Sequence, residues 1–172
     1  MKGWPIRFHT VHSENIGLSP DRRRAKRLES FCKGICFSDR PIAVNERIYL
    51  KFAEVSLSWS GVIRFGFTSN NPETINNLEL PRYACPDLTN KPGYWAKALP
   101  ERYSEHTNIL FFYFTRGGDV WFGINGEEKG LFFTGVNSNA PLWALVDIYG
   151  NTTCLEFVGK TKSYICQSDR IL

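Results

Sequence analysis

Apolar and polar residues alternate with a period of two along much of the chain. Gly61 to Ser69 reads GVIRFGFTS, which places Ile63, Phe65 and Phe67 on one face of a strand. Asn108 to Arg116 reads NILFFYFTR and is aromatic enough for a strand that is buried on both faces. No stretch keeps a helical period over three turns. The pattern therefore predicts a chain built from β-strands.

Turn residues separate the candidate strands, which recur about every ten residues, the spacing of a β-sandwich. Asn125-Gly126 is a strong hairpin signal. Helix is expected only as a short piece over Pro72 to Asn77, where Asn71 can cap a turn that Pro72 opens. We therefore expect an all-β fold, a two-sheet antiparallel β-sandwich. The predicted strands are Ile6–Val11, Asn15–Ser19, Ala25–Phe31, Gly34–Ser38, Arg47–Val55, Gly61–Ser69, Asn108–Arg116, Val120–Ile124, Gly130–Gly135, Leu142–Tyr149 and Thr153–Val158.

One long segment interrupts this pattern and is the predicted binding region. Leu80 to Leu99 reads LPRYACPDLTNKPGYWAKAL, and its prolines argue against a regular ladder. Tyr83, Tyr94 and Trp95 carry too much apolar surface to lie loose in solvent. An aromatic-anchored loop on a rigid sheet is a common binding arrangement. The alternative is that these rings only pin a long connection to the core.

The composition fits one self-sufficient domain. A chain of 172 residues with 42% hydrophobic and 15% aromatic residues can bury a core of its own. We assign residues 1–159 to the sandwich and residues 160–172 to a C-terminal tail, either a linker or a last edge strand. No window approaches a transmembrane span, and the amino terminus lacks the apolar run of a signal peptide. We therefore expect an intracellular protein.

No catalytic or metal-binding constellation is visible, so we expect neither an enzyme nor a cofactor. The five cysteines form no CxxC pair, which argues against a zinc site and a disulfide framework. The histidines are scattered, and glycine-rich phosphate loops are missing. The aromatic residues lie within strands and do not alternate with Lys and Arg, which argues against nucleic-acid binding. Asp147 lies in an apolar strand, where it either faces outward or is buried with a partner.

A basic patch stands out against the modest net charge of +4. Clustered cations attract anionic surfaces, so the patch is a candidate site for acidic lipid headgroups, phosphate or an acidic peptide. The alternative is a solvated turn and an edge strand that its charges protect. The patch consists of Arg22, Arg23, Arg24, Lys26 and Arg27.

Six segments together resemble the neuralized homology repeat of the Neuralized family, closest to a first repeat. The resemblance covers Ile6 to Val158, and its most specific parts are YACPDL, GYWAKAL and WALVDIYG in that order. The segments are FHTVHSENIGLS (Phe8–Ser19), SFCKGICFSDRPI (Ser30–Ile42), WSGVIRFGFTSNNP (Trp59–Pro72), LPRYACPDLTNKPGYWAKALPE (Leu80–Glu101), DVWFGINGEEKG (Asp119–Gly130) and PLWALVDIYGN (Pro141–Asn151).

The resemblance implies a sandwich related to the SPRY fold, of the concanavalin-like jelly-roll type, that acts as a protein-interaction module in RING-type E3 ubiquitin ligases. In that family the repeat binds the cytoplasmic tail of Delta- or Serrate-type Notch ligands, and the RING domain directs their ubiquitination and endocytosis. The cysteines here lack the paired spacing of a RING, so we expect recognition without catalysis. The implied location is cytoplasmic, peripheral at the plasma membrane and endosomes.

The family is also associated with phosphoinositide binding, and the basic patch is the local candidate for it. The alternative function is therefore a module that docks on phosphoinositide headgroups. A headgroup site should weaken steeply with ionic strength, whereas an aromatic peptide groove should respond less.

For a peptide-binding module we expect a loop-built groove at one end of the sandwich. The aromatic rings would form its apolar walls, and Trp59 would close the same end. Asn side chains would hydrogen-bond to the peptide backbone or to Asn side chains of the peptide. Trp143, inside LWALV, is expected in the core. The candidate peptide-binding residues are Trp59, Asn70, Asn71, Tyr83, Asn90, Tyr94 and Trp95.

Overall fold

The structure, a computed structural model, describes residues 5–159. Within this range the chain forms two antiparallel sheets and only short helical turns. The strands in chain order are β1 Ile16–Leu18, β2 Arg24–Arg27, β3 Ile35–Phe37, β4 Ile48–Val55, β5 Arg64–Thr68, β6 Tyr94–Ala98, β7 Ile109–Phe114, β8 Asp119–Ile124, β9 Glu127–Thr134, β10 Trp143–Asp147 and β11 Thr152–Val158. The turns are Pro72–Thr74, Asn77–Glu79, Ala84–Leu88 and Glu101–Tyr103.

The larger sheet has the strand order β1-β2-β11-β4-β7-β8-β9, and the smaller sheet has the order β3-β10-β5-β6. Every neighbouring pair is antiparallel. Asn125 and Gly126 connect β8 to β9 with φ angles of 52° and 83°, the left-handed conformation that a tight hairpin turn needs. The prediction of an all-β fold with two antiparallel sheets is confirmed.

Aromatic rings fill the space between the sheets. Phe65 and Phe67 lie two residues apart on β5 and therefore share the face that meets the larger sheet. Phe65 stacks on Phe132 with ring centroids 4.3 Å apart, and Phe67 meets Phe114 edge-on at 5.0 Å. All four rings are buried. Such close packing holds the sheets as a rigid platform for the loops.

The segment that interrupts the strand pattern covers the outer face of the smaller sheet. Ala84 and Leu88 from this segment are buried against Ile35, Phe37 and Leu145 of the sheet. The sheet is therefore buried on both faces, which explains why LWALV lacks alternation. The long connection is a structural layer as well as a candidate binding region.

Three strand predictions are wrong. The predicted strand Ala25–Phe31 ends at Arg27, so Leu28 to Phe31 belong to a loop. Tyr94–Ala98 forms β6, because the prolines of this region all precede the strand and Gly93 makes the turn that leads into it. Ile6–Val11 is not a strand, since within it only Phe8 forms a bridge, to Ser38. The Val11 N–H donates instead to the ring of His9, two residues back.

The short helical piece predicted over Pro72 to Asn77 is confirmed at Pro72–Thr74. The expectation of helix in this region only is wrong, since Ala84–Leu88 and Glu101–Tyr103 also form short helical turns. The Asn71 side chain accepts a hydrogen bond of 3.0 Å from the Glu73 N–H and so caps the turn that begins at Pro72. The predicted tail, residues 160–172, lies outside the described residues. No helix among residues 5–159 is long and apolar enough to cross a membrane.

Candidate functional site

Four aromatic side chains form a continuous series at one end of the sandwich, which we call the aromatic ladder: Trp59, Phe31, Tyr149 and Tyr83. Successive ring centroids lie 5.6, 5.9 and 6.0 Å apart. These spacings are those of tilted and edge-to-face ring pairs, which attract each other beyond their buried area. The ladder therefore joins rings from four separate segments of the chain.

Arg64 supports the ladder from β5. Its guanidinium carbon lies 3.6 Å from the centroid of the Tyr149 ring, a close cation–π contact. The Arg64 Nε and Nη1 atoms are buried and have no hydrogen-bond partner within residues 5–159. The position of Tyr149, in the middle of the ladder, is thus fixed by charge as well as by packing.

Glycines let the loops of the ladder approach one another closely. Gly61 has a φ of 87°, and a Cβ atom there would lie 2.6 Å from the ring of Tyr149. Gly150 has a φ of 66°, and a Cβ atom there would lie 2.4 Å from the Gly61 carbonyl oxygen. The Gly150 N–H donates to the Phe31 carbonyl at 3.0 Å. Only glycine meets both the angle and the spacing at these two positions.

Arg27, at the end of β2, joins the same loops through hydrogen bonds. Its guanidinium donates four hydrogen bonds of 2.6 to 3.0 Å to the carbonyl oxygens of Ser30, Ile148, Gly150 and Thr152. The side chain is buried, and this burial lowers the pKa of Arg27 from its ordinary value. A planar guanidinium can serve several carbonyls at once, so one residue positions the loops that carry Phe31 and Tyr149.

The outer part of this end is apolar and accessible. The Trp59 side chain is 42% exposed, although it contacts Phe31. Leu57, in the same loop, is fully exposed, and Leu28 in the neighbouring loop is 66% exposed. Large apolar side chains that a stable fold leaves in solvent are candidates for contact with a partner.

Asp147 anchors the covering segment beneath Tyr83. Its Oδ2 atom accepts a hydrogen bond of 2.9 Å from the N–H of Ala84, and the side chain is completely buried. Burial raises the pKa of Asp147 to about 6, while Arg64 and Arg27 act in the opposite direction. Of the two alternatives for Asp147, the structure shows burial with a partner.

A groove lies at the opposite end of the smaller sheet from the aromatic ladder. Asn70 and Tyr94 line this groove of about 220 Å³ together with Leu80, Leu88 and Lys91. The Asn70 side chain donates to the carbonyl of Pro92 at 3.1 Å, so its amide group is already used within the chain. The groove adjoins the Thr68 end of β5, whereas the ladder adjoins the Arg64 end.

The structure brings the candidate peptide-binding residues together only in part. Trp59 and Tyr83 belong to the ladder, and Asn70 and Tyr94 line the groove. Trp95 packs against the core between the sheets, on the opposite face of β6 from Tyr94. Two further candidates lie in turns: Asn71 caps the turn Pro72–Thr74, and Asn90 is exposed while its N–H donates to the Pro86 carbonyl.

The basic patch is divided between the surface and the interior. Arg24 and Lys26 point outward from β2, with salt bridges to Glu156 at 3.4 Å and to Glu54 at 3.0 Å. Arg27 is buried, so it cannot meet a lipid headgroup. The other two members bond to backbone carbonyls: Arg22 to Phe8, and Arg23 to Phe157.

Sequence reasoning missed the middle of the ladder. Phe31 and Tyr149 are half-buried and link Trp59 to Tyr83, yet each lies next to residues that look like ordinary strand ends. The sequence feature that points to these loops is a glycine shortly after an aromatic residue: Gly150 directly follows Tyr149, and Gly61 lies two residues after Trp59. Only the fold shows that these glycines face each other.

No metal site is evident among the described residues, where no group of three or more His, Cys, Asp or Glu side chains could hold an ion. Cys32, Cys36, Cys85 and Cys154 are free thiols. Burial raises the pKa of Cys36 well above its ordinary value, which keeps this thiol protonated.

Comparison with known protein families identifies the family of this chain. The family model described as Neuralized matches residues 8–159. The chain belongs to the Neuralized family. Its predicted relation to that family is therefore confirmed, and the described residues correspond to a neuralized homology repeat.

Two relatives in the Neuralized family match most of the chain. Protein neuralized of Drosophila melanogaster is 56% identical over 154 residues, which cover 90% of this chain and 20% of that protein. The E3 ubiquitin-protein ligase NEURL1B of Mus musculus is 42% identical over 156 residues, covering 90% and 29% respectively. The chain thus spans only a fifth to under a third of the length of these relatives.

Solved structures support the fold. The crystal structure of the Drosophila melanogaster neuralized-nhr1 domain matches with a TM-score of 0.89 and 55% identity, covering 91% of this chain and 99% of that chain. The SPRY domain of human HERC1 matches with a TM-score of 0.60 at 12% identity, covering 89% and 98%. The second likeness concerns the fold alone. The prediction of a SPRY-like sandwich in a Neuralized repeat is confirmed.

Proposed function

We propose that this Neuralized repeat is the substrate-recognition domain of a RING-type E3 ubiquitin ligase. In this proposal it binds the cytoplasmic tail of a Delta- or Serrate-type Notch ligand, whose ubiquitination and endocytosis follow. The recognition domain itself contributes binding, and another part of the parent protein contributes ligation. The proposed location is the cytoplasm, peripheral at the plasma membrane and endosomes, where such a tail is within reach.

The observation that carries this proposal is the exposed end of the aromatic ladder. The partly exposed Trp59 ring packs against Phe31, and Phe31 in turn packs against Tyr149. Trp and Tyr side chains that a rigid scaffold holds in place supply much of the energy of protein recognition, because little rotamer freedom is lost on binding. The neighbouring Leu57 can add apolar contact from the same loop.

Calorimetric titration with a peptide from the cytoplasmic tail of a Delta-type Notch ligand tests the proposal. We expect saturable binding that Trp59→Ala weakens by about tenfold or more, the loss of one hot-spot contact. Leu57→Ala and Leu131→Ala form a matched pair, since both leucines are exposed and only Leu57 belongs to the same loop as Trp59. Leu57→Ala should weaken binding, whereas Leu131→Ala on β9 should not. Absence of binding by the folded wild-type domain would overturn the choice of ligand.

The alternative function, docking on phosphoinositide headgroups, is favoured by one observation. Arg24 and Lys26 lie on one face of β2, and their side chains are 50% and 48% exposed. Their salt bridges to Glu156 and Glu54 lower the net positive charge of this face. Binding to vesicles that contain phosphatidylinositol bisphosphate, measured at low and high salt, tests this function. Loss of binding in the double variant Arg24→Gln, Lys26→Gln would support it.

A further inference from the structure

The edges of the two sheets differ in how they are protected against another strand. Backbone hydrogen bonds from His9 and Ser13 cover β3. The outer strand β1 has only three residues. On β9, irregular register and the charges of Glu127, Glu128 and Lys129 disfavour further pairing. The remaining edge, β6, is a regular five-residue strand.

The outward backbone groups of β6 are available for pairing. The Leu99 N–H donates to the Ile63 carbonyl, and the Ser69 N–H donates to the Gly93 carbonyl. The odd-numbered residues of this region therefore direct their backbone N–H and C=O groups toward β5. Tyr94, Ala96 and Ala98 therefore direct their N–H and C=O groups away from the sheet. Within residues 5–159 these outward groups have no hydrogen-bond partner. An open row of this kind is a template for another strand.

The sequence of β6 is complementary to itself when two copies run antiparallel around Ala96. In this register Ala96 lies opposite Ala96 of the second copy, and Tyr94 lies opposite Ala98, so large side chains meet small ones. On the other face Trp95 lies opposite Lys97, a pair that can form a cation–π contact. No two like charges of the strand lie directly opposite each other. Lys97 already rests over an aromatic ring, 5.5 Å from the Phe132 centroid.

We infer that β6 pairs with β6 of a second copy of this chain, which joins the two smaller sheets into one continuous sheet. The pairing uses backbone groups of Tyr94, Ala96 and Ala98, and none of the four ladder rings lies on β6. The contact is small, so the dimer is weak and forms at high concentration. Two linked ladders would bind a multivalent partner with a gain in avidity. This inference does not depend on the identity of the peptide ligand.

Sedimentation velocity over a range from micromolar to millimolar concentration tests the dimer. We expect the mass to rise from the 19.7 kDa of one chain toward twice that value. Ala96→Pro removes an outward N–H that β5 does not use, so the strand can keep its place in the sheet while the dimer is lost. A monomer at every concentration would overturn the inference.

A charge at the centre of the interface provides a second variant, one that keeps the backbone N–H group of residue 96. Ala96→Lys places like charges opposite each other across the two copies and should abolish the dimer. Ala140→Lys makes the same charge change in a turn outside β6 and should leave the dimer intact. Equal dimerisation in Ala96→Lys and the wild type would show that another surface is responsible and would contradict the pairing of β6.

Amide hydrogen exchange by NMR gives a residue-level test. In dilute protein the Tyr94, Ala96 and Ala98 amides should exchange fast, while the Trp95 and Lys97 amides are protected by β5. At high concentration the first three amides should become protected. Slow exchange of all five amides in dilute monomer would contradict the open edge.

Discussion

At the scale of single residues, Arg27 shows how position changes the role of a charge. It belongs to a run of basic residues, but its side chain points inward because it shares a face of β2 with the buried Ala25. There it bonds to four carbonyl groups of the ladder loops. The residue that the charge pattern assigns to a lipid surface therefore supports the candidate peptide site.

Replacing Arg27 tests this role. Arg27→Lys keeps the charge but loses the planar fork, so most of the four carbonyl contacts cannot form. We expect a loss of about 3 kcal/mol in the free energy of unfolding, since the remaining carbonyls are buried without partners. Denaturant unfolding measures this loss. Arg24→Lys on the same strand is the control, because Arg24 is exposed, and an equal effect of both variants would contradict the role of Arg27.

The burial of Asp147 makes the stability of the fold depend on pH in a definite direction. Its pKa is about 6 in the folded chain and 3.8 in the unfolded chain, so the folded state binds the proton more tightly. This group therefore lowers the stability as the pH rises from 4 to 6, by about 3 kcal/mol in all. We expect Asp147→Asn to be more stable than the wild type at pH 7 and similar to it at pH 4.

Unfolding by urea at a series of pH values measures this effect. The exposed Asp87 supplies the control, since Asp87→Asn removes the same charge from the covering segment without burial. A wild-type curve between pH 4 and 6 that has the same slope as that of Asp147→Asn would contradict the account.

At the scale of elements, β6 carries two rings with different roles. Trp95 faces the core between the sheets, and Tyr94 faces the covering segment. Trp95→Ala should therefore lower the free energy of unfolding by about 3 kcal/mol, the cost of a large cavity. Trp59→Ala, at the exposed ladder end, should cost less than 1 kcal/mol. Thermal unfolding compares the two, and equal stability of both variants would place Trp95 outside the core.

Much of the sandwich could be predicted from local pattern. The strand over NILFFYFTR and the hairpin at Asn125-Gly126 follow from side-chain type and turn chemistry alone. Strand β6 could not be predicted, because the prolines before it dominate the segment and its five residues are few for a periodic signal. Its place in the sheet depends on pairing with β5, a contact between distant parts of the chain.

The candidate site could be predicted less completely than the fold. Trp59 and Tyr83 are conspicuous in the sequence, and both are in the ladder. Phe31 and Tyr149 connect them only because three loops converge at one end of the sandwich. The charge of its neighbours predicts Arg27 at the surface, although the alternation of β2 places it with Ala25 on the inner face.

At the scale of the whole molecule, the sandwich separates two candidate surfaces. The aromatic ladder occupies one end, and the exposed basic residues of β2 lie on the larger sheet. The loops of the ladder are fastened to each other and to Arg27, so the end is preorganised for a partner. The two surfaces are made of different chemistry, so a spectrum that resolves individual residues can distinguish them.

An NMR titration of the ¹⁵N-labelled domain with the Delta-type tail peptide tests the central claim most directly. We expect shift changes at the Trp59 indole N–H and at the amides of Phe31 and Tyr149, with little change at Arg24 and Lys26. The Trp59→Ala variant should lose the changes at Phe31 and Tyr149. Changes confined to β2, or none in the folded domain, would contradict peptide recognition by the aromatic ladder.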